Sequence, residues 1–204
     1  PSVSNCRTML DSLHLICLAH GLEVRRPDNV ISSLISINEH IINDEPDYYL
    51  LYLQDMFPYF DKYLIVDYLP KLVERISYEM DRHQLNSPCD KALLLDYKAE
   101  LFVLKKDYCN ALKKRTKALE LLTPLLTADA DKRTANLVSN LYNNISNVYL
   151  LMKKGKEAIT NLKQAFQIRK EYGIFETHDS LQQMMNMTNI LILAKEYAQA
   201  EQLL

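Results

Sequence analysis

YNNISNVYLLMKKGKEAITNLKQA, residues 142–165, carries the spacing that decides the fold. Within it the small residue Ser146 is followed by Tyr149, Gly155, Ala158 and Ala165, at offsets of 3, 9, 12 and 19. The same offsets lead from Ala99 to Phe102, Tyr108, Ala111 and Ala118. They lead again from Thr188 to Leu191, Tyr197 and Ala200. At 3.6 residues per turn, the first two positions of each set share one helical face, and the two alanines share a face of a second helix. Small residues let two helices approach closely, and the aromatics fill the gap between hairpins. The expected fold is all-α, an α-solenoid of antiparallel helical hairpins.

Composition agrees with this reading. Only three glycines occur in 204 residues, which disfavours turn-rich β architectures, while Leu, Ala, Lys, Glu and Met favour helix. The formal charge is −2, so the whole chain has no electrostatic drive toward nucleic acid or an anionic membrane. The basic run Lys113, Lys114, Arg115 and Lys117 reads as a solvated outer face. Four cysteines, Cys6, Cys17, Cys89 and Cys109, form no CxxC pair and read as reduced thiols of a cytoplasmic protein. No run approaches the roughly 18 apolar residues of a membrane span, and no signal peptide is visible.

Helix signals succeed one another with short breaks. The pattern predicts helices over about 5–20, 27–43, 47–57 and 61–83, with Pro70 kinking the last or marking a first turn. Asn86–Pro88 reads as a linker, dividing the chain into degenerate hairpins over 1–86 and clear repeats over 87–204. The repeats are predicted as 89–105 with 108–122, 134–152 with 155–172, and 177–194 with 197 onward. Gly173 supplies the stop after the second pair. The last helix is reached near Leu204 without a polar cap, so further repeats or an output domain are expected beyond it.

The repeats resemble tetratricopeptide repeats, with Tyr142 to Tyr149, Glu157-Ala158-Ile159 and Ala165 as the closest match. Gly155 departs from the pattern by standing where an aromatic is usual. Pro124 lies near the place of the family's helix-ending proline. The step from Ala111 to Ala158 is 47 residues and that from Ala158 to Ala200 is 42. Both exceed the family's unit of roughly 34, through longer helices or an extended loop around Thr127–Arg133. Units of this length are similar to those of kinesin light chains and bacterial peptide-pheromone receptors. The resemblance implies a right-handed superhelix whose concave face is lined by the first helix of each hairpin.

It also implies a use for the asparagines. Asn144 and Asn147 flank Ser146, Asn186 and Asn189 flank Thr188, and Asn143 adds another amide. In several relatives an asparagine just after the small position holds the backbone of an extended peptide, and Asn147 and Asn189 match that position. An amide offers a donor and an acceptor together, which suits a peptide main chain. Leu150, Leu151, Met185 and Ile192 would read side chains. The corresponding residues of the preceding repeat are Tyr97 and Glu100, and of the degenerate one Tyr52 and Asp55. A continuous groove would thus turn aromatic and acidic toward the N-terminus. The alternative for the asparagines is bonding to neighbouring helices or water.

Two functions are expected from this pattern. The first is a non-catalytic module that binds an extended peptide or partner segment. The second is a sensor or self-association segment, acting as a homodimer, of a multidomain signalling or transcription-regulatory protein. No cofactor is implied, and no catalytic motif is recognisable. His14, Cys17 and His20 invite a metal reading, but a helix spreads them too widely around its axis to converge on one ion.

Overall fold

The computed structural model describes Gln54, residues 69–127 and 130–174, and the separate positions Met185, Thr188, Asn189, Leu191 and Ile192. The chain divides into two compact units, Pro1–Leu85 and Asn86–Leu204. Every regular element among the described residues is helical, with no strand. The helices expected before residue 61 lie outside the described residues apart from Gln54, and so does most of the last expected hairpin.

In the first unit, α1 spans Leu69–Arg82. Its Leu69, Leu72, Val73, Ile76 and Met80 are buried at the 3–4 spacing of one helical stripe. Pro70 lies within the described span of this helix. The buried Glu79 carboxylate lies 2.7 Å from Arg75 and 3.3 Å from His83, one turn to either side.

Among the described residues the second unit holds two complete helical hairpins. The first pairs α2, Pro88–Leu104, with α3, Tyr108–Leu122. The second pairs α4, Lys132–Leu151, with α5, Gly155–Glu171. A single 3-10 turn, Thr123–Leu125, contains Pro124 and opens the connection between them. These helices lie within two residues of the expected bounds. Both explanations offered for the long repeat hold, since α4 runs for 20 residues and nine separate it from α3.

Caps explain the boundaries. Ser87 accepts the Asp90 N–H at the start of α2, Asp107 that of Asn110 in α3, and Asp131 that of Thr134 in α4. The two hairpin turns are copies 47 residues apart. Lys106 and Lys153 each adopt a φ of 59°, a left-handed conformation that closes a Schellman motif. In the first, Asp107 N–H bonds the Phe102 carbonyl, and in the second, Lys154 N–H bonds that of Tyr149.

The small residues lie where the helices touch. Ala99, Ala111, Ala118, Ser146 and Ala158 are all fully buried, and Ala165 nearly so. Phe102, Tyr108 and Met152 pack around Ala99, Ala111 and Val148, so aromatics do fill the join between hairpins. A second cluster centres on Ala118, Leu122, Ala135, Val138 and Leu141. Within the second hairpin, the Ser139 hydroxyl donates to the Ala165 carbonyl at 3.2 Å.

Gly155 opens α5 with nothing within 4 Å of the place a Cβ would take. We expect Gly155→Ala to raise stability by about 0.4–1 kcal/mol through the unfolded chain's lost freedom. Gly173, at a φ of 61°, should instead lose on the order of 1 kcal/mol on substitution by Ala. Thermal unfolding followed by circular dichroism tests both signs.

The caps also set an acid limb. The Asp107 carboxyl is held below its usual 3.8 by the Asn110 side-chain and backbone hydrogen bonds. That of Asp131 is held below the same value chiefly by the Thr134 backbone N–H. A depressed folded pKa means stability present in full above the unfolded value and lost as pH falls through the folded one. Asp107→Asn with Asp131→Asn keeps cap acceptors but removes the titration, so Tm should fall less steeply below pH 3.8 than in the parent.

Candidate functional site

The face that the asparagine pattern singles out is carried by α2 and α4 and includes the described helical positions Met185, Thr188, Asn189, Leu191 and Ile192. Its centre is a side chain that the charge pattern placed elsewhere. Arg115 does not lie on the outer face with Lys113 and Lys117, which are exposed; it is 3% accessible. The reason is phase. Ala111, Arg115, Ala118 and Leu122 follow one another at 4, 3 and 4 residues, so Arg115 belongs to the buried stripe of α3.

Arg115 ties three helices together. Its Nε donates to Asp96 Oδ1 of α2 at 2.7 Å, and one Nη donates to Glu100 of the same helix. Its other Nη donates to the Asn144 carbonyl of α4 at 3.1 Å. Asn144 closes the circuit by donating from Nδ2 to Asp96 Oδ2 at 2.9 Å. Burial alone would lower the guanidinium pKa; the charges of Asp96 and Glu100 outweigh it and raise the pKa above its usual value.

The second hairpin fills the same positions with different chemistry. At a step of 47, Asp96 becomes Asn143, Glu100 becomes Asn147 and Arg115 becomes Leu162. The arginine reappears seven residues on, at Arg169, where the first hairpin has Leu122. Each second helix therefore buries one arginine and one leucine, in opposite order. Arg169 donates to Asn136 Oδ1 at 3.1 Å, Asn140 Oδ1 at 2.8 Å and the Ile174 carbonyl at 3.3 Å.

The proposed peptide-contact residues fall into distinct groups. Glu100 and Asn144 belong to the Arg115 network, as one alternative reading of the asparagines allowed for Asn144. Tyr97 is buried, and Leu150 is half-buried beside Leu162, Ile159, Phe166 and Leu191. Asn143 is buried with its Oδ1 unbonded. Asn147 is half-buried, and Asn189 is exposed. Leu151, Met185 and Ile192 are exposed at 53%, 58% and 45%. Asn186, Tyr52, Asp55 and the His14, Cys17 and His20 trio lie outside the described residues.

Among the described residues no group of acidic, histidine and cysteine side chains could hold a metal ion. None of their helices is long and apolar enough to cross a membrane. Asp96, Arg115, Asn136, Asn140 and Arg169 went unnoticed as partners in the sequence. The phase of each arginine with its neighbouring alanines was the signal that could have found them.

Replacing Arg115 alone leaves two mostly buried carboxylates without their cation. Arg115→Leu should cost about 3–5 kcal/mol in urea unfolding. The triple substitution Asp96→Asn, Glu100→Asn, Arg115→Leu transplants the second hairpin's set and should recover most of that loss. No recovery would show that the network acts through its bonds to Asn144 rather than by compensating charge.

Compared with known proteins, the chain matches no family model and no curated protein.

Proposed function

We propose that this chain is a non-catalytic, cytoplasmic interaction module of tetratricopeptide-like architecture, a superhelix whose first helices bind an extended peptide or partner segment. The observation that supports it best is the contrast along one register. At the first hairpin the position after the small residue is Glu100, held by Arg115. At the next two it is Asn147 and Asn189, and neither amide has a side-chain partner among the described residues.

Glu100 serves the fold, whereas the two amides keep a donor and an acceptor each for a ligand main chain. The Met185 and Ile192 side chains stand one turn to either side of Asn189, exposed, as side-chain readers of such a peptide would be. The reading centres binding on the second and third hairpins, Asn147 and Asn189 first. Asn143, buried one helical turn before Asn147, acts as a support for the site.

The test is to pan an unbiased peptide library against the parent chain and against Asn147→Ala, Asn189→Ala. Sequences enriched by the parent should lose about 5- to 150-fold in affinity, the worth of about 1–3 kcal/mol of hydrogen bonds. Melting should be unchanged, since neither amide makes a side-chain hydrogen bond among the described residues. Equal affinity for both proteins would remove the asparagine ladder from the site.

A further inference from the structure

The two hairpin turns form an edge that the peptide-binding reading touches only at Leu151. In the first, Leu104 is 43% exposed and is followed by the exposed Lys105 and Lys106. In the second, Leu151 is 53% exposed and is followed after Met152 by the exposed Lys153 and Lys154. These turns are neighbours in space. Met152 packs into the same cluster as Val103 and Tyr108, which flank the first turn. Two leucines and four lysines thus stand together along one edge of a chain whose net charge is −2.

Acidic groups do little to neutralise it. Asp107 sits within the first turn, but both its carboxylate oxygens are engaged by Asn110, through the backbone N–H and the side-chain amide at 3.2 and 2.7 Å. Glu157 is offset by Lys156 one residue away. The Schellman bonds of each turn engage its N–H groups internally, Asp107 N–H on the Phe102 carbonyl and Lys154 N–H on that of Tyr149. Lysine at the left-handed position, where glycine or asparagine is cheaper, recurs in both turns.

We propose that this edge docks a partner protein through an acidic segment bearing apolar side chains. Charge complementarity names the acidic character, and the paired leucines name the apolar one. The leucines also separate a protein from a bilayer. About half of each side chain is packed against its own protein, which leaves a shallow patch suited to a fitted contact. Insertion into lipid requires apolar groups that reach about 5–10 Å below the headgroups.

The experiment pans two peptide libraries against the full chain, one biased to Asp, Glu and Leu and one to Lys, Arg and Leu. The acidic library should enrich, and the selected peptides should bind at least 10-fold more weakly to Lys106→Glu, Lys153→Glu. Raising NaCl from about 50 to 500 mM should weaken the parent's binding steeply. Lys105→Glu with Lys154→Glu provides a second charge reversal should the first disturb the turns, with circular dichroism reporting on folding.

Asn147→Ala, Asn189→Ala should leave this binding intact, which separates the edge from the peptide face. Enrichment of neither library, or equal binding by folded charge-reversed variants, would overturn the proposal. So would co-sedimentation with phosphatidylserine vesicles that the reversals abolish while no acidic peptide is selected, since the edge would then belong to a bilayer.

Discussion

The join between the two described hairpins of the second unit depends on the buried cation of Arg115. Placing the Arg115 guanidinium between two hairpins is costly unless charge and hydrogen bonds compensate it. Asp96 and Glu100 supply both from α2, and the Asn144 carbonyl supplies a bond from α4. The small residues allow the helices to approach, but they tolerate sliding. A guanidinium that must meet two carboxylates and one carbonyl does not. Shifting α3 along either neighbour would leave a charge in the interior without its partners, so the network selects one register where apolar packing alone would accept several.

The second hairpin meets the same steric demand without the same charges. Leu162 replaces the arginine, Asn143 and Asn147 replace the carboxylates, and Arg169 takes the next buried position along the helix. Two hairpins with one backbone plan therefore carry different interiors. That difference bears on function. Where the cation is present, the first-helix polar groups are spent on holding the fold. Where it is replaced by leucine, the Asn147 amide is not needed by the structure and becomes the group proposed to meet a ligand.

Much of the architecture was legible from residue spacing. The offsets running from Ala99 and Ser146 located the buried contacts, and Pro88 and Gly173 marked boundaries that the helices observe. Backbone hydrogen bonding and side-chain size are local properties, so a spacing of small residues reports on them directly. The site was less legible. Glu100 matched Asn147 in register and Asn144 matched it in chemistry, yet both are bonded within the protein. Only the position of Arg115 across the hairpin distinguishes them.

The sequence by itself determined that residues 89–172 form paired helices, where each begins and ends to within two residues, and which faces close on one another, because periodicity and caps act over a few residues. The tertiary structure alone decided which polar groups are consumed and which remain. A lysine-rich stretch containing one buried arginine, and a nearly neutral chain carrying one basic edge, are each read correctly only when residues 47 apart are brought together. Charge acts through space, and its cost depends on what stands beside it once the helices have packed.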